Sequence, residues 1–308
     1  MMEGKLMYSE TDFATTAGTI DNATSKLNLV RDLSAVNRKG MHMTSAKGVP
    51  LVYHCRLTVI KPFGTDRPNS ILNALVYTAQ HNYVTKNAAV QLHAAREQMF
   101  KNAGIKKSDR GRYDSTIRYG WDSAGDTYNL PVLADADGVF TASDVGEWDE
   151  SIISIKDDAD LVPVLFGSEL REDVAVNGDT FNLANAYLNS RRKLDVDDLD
   201  AGDGAADHSI VRSMFNVEDT NDATIQTTAD DNQDQPPYDQ DGVRGTFTSK
   251  STSAPASVGN FGAVKDVIDF DAPFGLAEIS WTKQADASGN LSQDVIFWVE
   301  VLGISEMQ

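Results

Sequence analysis

The stretch "DVIFWVEVLGI", residues 294–304, is apolar at both the odd and the even positions of a two-residue alternation. Successive side chains of a strand point to opposite faces. A strand that is apolar on both faces reads as a central one, covered on both sides. The reading is therefore of a β protein whose last strand sits inside a sheet. "PLVYHCRLTVI" at 50–60 supplies a second strong strand, with Leu51, Tyr53, Cys55, Leu57 and Val59 alternating against Val52, His54, Arg56 and Thr58. Shorter strands are expected at 148–156, 161–166, 209–217, 223–228, 244–250, 261–269, 275–283 and 292–302. A further strand at 113–121 would put Tyr113, Ser115, Ile117, Tyr119 and Trp121 on one face.

Helical spacing appears in three places. Leu29, Leu33 and Val36 predict a short helix closed by a left-handed Gly40. Leu72, Val76, Ala79 and Tyr83, continued by Ala88, Leu92, Ala95, Met99 and Ala103, predict a long helix over about 69–104. Asn69 or Ser70 would cap it and Gly104 would end it, either as one helix or as two with a bend near Thr85. A shorter helix is expected at about 180–193, capped by Asp179 or Thr180. Residues 1–24 are polar and read as irregular.

Many short strands joined by Gly- and Pro-rich turns are the pattern of a mainly β sandwich or jelly roll, single or double. The expected division is an N-terminal extension with a short helix at 1–49, a first jelly-roll-like β domain with inserted helices at 50–200, and a second β-rich half at 208–308. The last two are either separate or one continuous domain.

Composition narrows the chemistry. The chain has 308 residues, 41% of them hydrophobic, and a net charge of −19. Mean hydropathy is −0.34, and no apolar run approaches the ~20 residues that cross a bilayer. The opening "MMEGKLMYSETDF" has no apolar stretch behind its charges, so no export signal is expected. One cysteine, Cys55, excludes an internal disulfide and reads as a small buried hydrophobe. No G-x-S-x-G elbow, phosphate loop or H-E-x-x-H is present, and no cofactor or enzymatic activity is expected. His93 and Glu97 are four apart on the long helix without a third ligand nearby. "DADGVFTASDVGE" at 135–147 begins like a calcium loop but has Gly138 and Glu147 at the wrong offsets. Asp195, Asp197, Asp198, Asp200 and Asp203 crowd together without an established spacing. A solvated loop is the default for both.

The charge is unevenly spread. Residues 1–120 hold 17 Lys and Arg against 9 Asp and Glu, while residues 121–308 hold 10 against 37. Arg38 and Lys39 follow the short helix. Lys106, Lys107, Arg110, Arg112 and Arg118 form a block between the long helix and the 113–121 strand. These seven are candidate contacts to a polyanion, either phosphate backbone or anionic lipid. The alternative is a solvated turn, where cations suit a helix end. The acidic loops 195–207 and 230–242 read as outer surface.

The runs "DLSAVNRKG", "YHCRLTVI", "NAAVQLHAAREQMFKNAGI" and "GRYDSTIRYGWD" resemble the N-terminal region of jelly-roll major capsid proteins from small tailless icosahedral viruses of microbes. The resemblance covers about residues 27–122. It implies trimeric or pseudo-hexameric capsomers without enzymatic activity. One departure is clear: residues 1–24 hold only Lys5 against Glu3, Glu10, Asp12 and Asp21, so genome binding through a basic arm is not expected. The expected function is therefore a self-assembling shell subunit, made in a host cytoplasm and found in the virion. Its partners would be its own copies, other virion proteins, and an internal lipid membrane or packaged nucleic acid. The alternative is an extracellular β-sandwich binding module or adhesin of a salt-adapted microbe. A halophilic enzyme built from distant carboxylates stands third.

Overall fold

The computed structural model describes residues 4–10, 20–60, 71–110, 116–122, 125–134, 140–142, 148–154, 160–166, 180–184, 186–187, 250–253, 255–258, 265–284 and 295–308. In chain order the elements are β1 (Gly4–Glu10), β2 (Ile20–Asn28), α1 (Leu29–Asn37), β3 (Leu51–Ile60), β4 (Ile71–Thr78) and α2 (Tyr83–Asn102). Five short strands follow: β5 (Val132–Ala134), β6 (Phe140–Ala142), β7 (Ile153–Ser154), β8 (Asp160–Val164) and β9 (Thr180–Asn182). The chain closes with β10 (Ser251–Thr252), β11 (Ala256–Val258), β12 (Lys265–Pro273), β13 (Leu276–Gln284) and β14 (Val295–Glu306).

Two antiparallel sheets dominate. The first has the order β1–β14–β3–β12. In the second, β13 lies between β2 and β4, and β10 and β11 both pair with β4. The inward faces alternate as strands do. Leu6 and Tyr8, then Tyr53, Cys55, Leu57 and Val59, then Phe297, Val299 and Val301 are buried from the first sheet. Ala23 and Leu27, Leu72, Ala74 and Val76, then Ala277, Ile279 and Trp281 are buried from the second. Trp281 and Phe297 meet across the sandwich with ring centroids 4.9 Å apart, and Tyr8 stacks on Phe297 at 5.4 Å. Cys55 is buried and its thiol is pushed well up by that burial, as expected for a structural residue.

The chain passes from β12 to β13, one sheet to the other, through two residues of positive φ, Phe274 at 60° and Gly275 at 68°. A Cβ on Gly275 would lie 2.5 Å from Val30 Cγ2 and 3.1 Å from the Tyr53 ring. Only glycine satisfies both the backbone and the space at this corner.

β14 is central, between β1 and β3, as its sequence predicts. Its second face is only half covered: Trp298 and Leu302 keep partial exposure. Lys5 on β1 lies 5.6 Å from the Trp298 ring and pairs with Glu300 at 2.8 Å, so a lysine stem and an aromatic ring share that outer face.

Four expectations are corrected. The 69–104 helix is β4 followed by α2, which starts at the Asn82 cap and not at Asn69 or Ser70. Leu72 and Val76 are four apart, a spacing that keeps one face in a helix and in a strand alike, and Ala74 between them is buried too. Gly104, at φ 73°, does follow the end of α2. The 180–193 helix begins instead with β9; Leu183, Ala184, Ala186 and Tyr187 are helical. Residues 4–10 and 20–28 are strands rather than irregular chain, because β14 and β13 offer them edges to pair with. The 113–121 strand is reduced: residues 116–121 hold one bridge, Gly120 to Val164, though Ile117, Tyr119 and Trp121 are buried as the alternation predicts. The strands expected at 209–217 and 223–228 lie outside the described residues. Among those residues, no helix is long and apolar enough to cross a membrane.

Candidate functional site

The site begins at the end of α1. Asn28 caps its start, accepting from the Arg31 N–H, and Leu29, Val30 and Leu33 bury its inner side. The helix stops at Arg38, which is left-handed at φ 50°, so the predicted stop at Gly40 comes two residues early. The Arg38 and Lys39 N–H groups both donate to the Ser34 carbonyl, the second at 3.3 Å. Ser34 Oγ accepts from the Met41 N–H at 2.9 Å, and Tyr53 donates its hydroxyl to the His42 carbonyl at 2.6 Å. These bonds turn residues 38–43 back across the end of the sandwich.

A second segment meets them. Arg118 N–H donates to Ser151 Oγ, and Ser151 N–H to the Arg118 carbonyl, both at 2.9 Å. The Arg118 guanidinium lies 4.5 Å from the Trp148 ring and donates through Nη1 to the Asp149 carbonyl at 3.2 Å. Between the two segments is a concavity of about 250 Å³, lined by Ser34, Arg38, Lys39, His42, Arg118 and Trp148 among others. Burial, and then the Arg118 charge, hold the His42 imidazole below its ordinary range. The Trp148 indole Nε1 is buried and has no hydrogen-bond partner among the described residues. Chemically, the arrangement is a donor-rich, cationic hollow suited to an anion.

Three of the seven predicted cations, Arg38, Lys39 and Arg118, thus converge from positions eighty residues apart. Lys106 and Arg110 do not join them. Arg110 folds back on α2, 4.0 Å from the Phe100 ring and 2.5 Å from Glu97 Oε1, with a side chain only 10% exposed. Lys106 is exposed in the turn after α2, Lys107 opens a single 3-10 turn, and Arg112 lies outside the described residues. His42 and Trp148 carried no signal of their own in the sequence, being single residues whose partners are remote.

The outer face of the second sheet holds a different polar cluster that sequence reasoning also missed. Glu278 on β13 is buried, accepting from Trp121 Nε1 at 2.6 Å and from Lys250 Nζ at 2.8 Å. Asp126 accepts from the N–H groups of Trp121 and Asp122, at 2.7 and 3.0 Å, and from Lys26 Nζ at 2.8 Å. Both are buried carboxylates with full sets of donors, and they fasten residues 121–128 onto the sheet.

Among the described residues, no group of three or more His, Cys, Asp and Glu is placed to hold a metal. His93 packs where Gly48 leaves room for it, and Glu97 is bonded to Arg110. Asp195, Asp197, Asp198, Asp200 and Asp203 lie outside the described residues, as do most of 135–147. The chain matches no protein-family model, no curated protein and no solved structure.

Proposed function

We propose that the chain is a structural subunit of a closed protein shell, with a jelly-roll fold of the kind used by viral capsids. Strand pairing carries the proposal. Counting β10 and β11 as one interrupted strand, the two large sheets contain eight strands among the described residues. The first pairs with the eighth, the second with the seventh, the third with the sixth and the fourth with the fifth. That is the pairing of one long hairpin. Rolling it lays β14 beside β3 and β13 beside β4, which is how a jelly roll is built, and viral shell domains are among its uses. The pairing supports one jelly roll.

In this reading the subunit has no enzymatic activity, assembles with its own copies into trimeric capsomers, and contacts other virion proteins. The Arg38, Lys39 and Arg118 side turns toward lipid or packaged nucleic acid, and the protein resides in the virion. Closed symmetric oligomers are the usual outcome for self-association. Analytical ultracentrifugation in molar salt, followed by electron microscopy, tests it. Trimers or uniform shells are expected. A monomer near 33.5 kDa at every concentration overturns it. The concavity favours a second reading, a binding module, which the same monomer would support.

A further inference from the structure

We infer that the concavity between the end of α1 and Trp148 is a discrete site for one phosphate-class anion, and not only a charged surface. This rests on reading that side as an anion contact, and narrows it.

Four observations converge. In a chain of net charge −19, no Asp or Glu among the described residues lines the hollow, while three cations do. A guanidinium has five N–H donors in a fork that matches phosphate oxygens. That of Arg118 is already held in place by the Trp148 ring and the Asp149 carbonyl. Trp148 lines the same hollow and its ring backs the Arg118 guanidinium, so the fork is held at the wall by an aromatic face. Arg38 ends α1 in a left-handed conformation at φ 50°, a common helix stop, and that stop places Arg38 and Lys39 on the lining shared with Arg118. A simple helix-end effect explains Arg38 and Lys39, since cations suit a C-terminus. It does not explain Arg118, which belongs to another segment.

Size sets the ligand. A hollow of about 250 Å³ falls below the ~300–1,000 Å³ typical of drug-sized ligands. It suits a single phosphate group, either free or carried by a lipid headgroup or a nucleic-acid backbone.

The test is calorimetric titration of the full chain with inorganic phosphate in low-salt chloride buffer, with the His42 ring signal followed by NMR. Saturable 1:1 binding that moves the His42 signal is expected. Arg118→Gln should weaken it at least tenfold, Trp148→Phe severalfold, and Lys106→Gln not at all. If Arg118→Gln fails to fold by circular dichroism, Lys39→Gln and Trp148→Phe carry the test. Parallel arms use phosphatidylserine vesicles and a single-stranded oligonucleotide. Whichever of the two is displaced by inorganic phosphate identifies the source of the group. If vesicles or DNA bind and Arg118→Gln weakens them while phosphate shows no saturable binding, the single-anion site is overturned and the polyanion-facing side stands. If none of the three binds, both fall.

Discussion

The interior between the two sheets and the outer face of the second sheet are both buried, but by opposite means. The interior is apolar and built from alternation: Tyr8, Cys55, Leu57, Val76, Ile279, Trp281 and Phe297 each sit at the inward position of a strand. The outer face is held by single polar residues. Glu278 takes donors from Trp121, 157 residues away, and from Lys250, 28 residues away. The Lys250 ammonium also lies 5.4 Å from the Trp121 ring and 5.7 Å from those of Phe166 and Tyr77. Apolar burial is non-directional and tolerates partners of many shapes. A buried carboxylate is tolerable only with its donors in place. The first region therefore shows in a pattern of residue types, and the second only in a set of exact neighbours.

The difference can be broken from the apolar side first. Phe297→Ala removes a fully buried ring that touches both Tyr8 and Trp281. A loss of about 3–5 kcal/mol is expected, from transfer and cavity together. Chemical denaturation measures it, and a loss under 1 kcal/mol would mean that the sandwich interior is not the stability centre.

The outer face should respond less and with stronger coupling. Glu278→Gln keeps the shape but strips the charge that Lys250 faces, and should cost roughly 1–3 kcal/mol. Lys250→Met in the same chain should return part of that loss, because no half-buried ammonium is then left without its carboxylate. Additive effects in this double-mutant cycle would show that the two side chains act independently.

The smallest effect sharpens the comparison at a place where the interior itself carries a charged group. Asp32 on α1 is buried, accepting from Tyr8 Oη at 2.6 Å and Arg31 Nε at 2.8 Å. Burial outweighs those partners and raises its carboxyl from 3.8 to about 6. Between these values the native chain binds more protons than the unfolded one. The Asp32 contribution to stability is therefore most favourable below about pH 4 and declines as pH rises to about 6. Asp32→Asn should flatten this part of the stability profile, changing its slope by up to about 1 kcal/mol per pH unit. Melts from pH 4 to 7 check it; parallel profiles for the two proteins would remove Asp32 as the cause.

Legibility followed the same division. β3, β12 and β13 could be read because each holds period two over nine or more residues, and β14 because its twelve residues are largely apolar on both faces. β4 was lost to the coincidence of spacing between Leu72 and Val76. β2 was missed because its inward residues Ala23 and Ser25 are small or polar, and acquire a face only beside β13. At the candidate site, Arg38, Lys39 and Arg118 were visible as charges. Their convergence was not, nor was the departure of Arg110 to Glu97.

By itself the sequence determined the β class, the central place of the last strand, the buried role of Cys55 and the crowding of positive charge before residue 120. Each of these follows from local side-chain character repeated along one segment. Tertiary structure alone decided which strands pair, where α1 turns at Arg38, and which cations share a hollow with Trp148. Those outcomes depend on the Phe274–Gly275 corner, on edges supplied by residues more than two hundred positions away, and on hydrogen bonds between single groups. No periodicity along the chain encodes them.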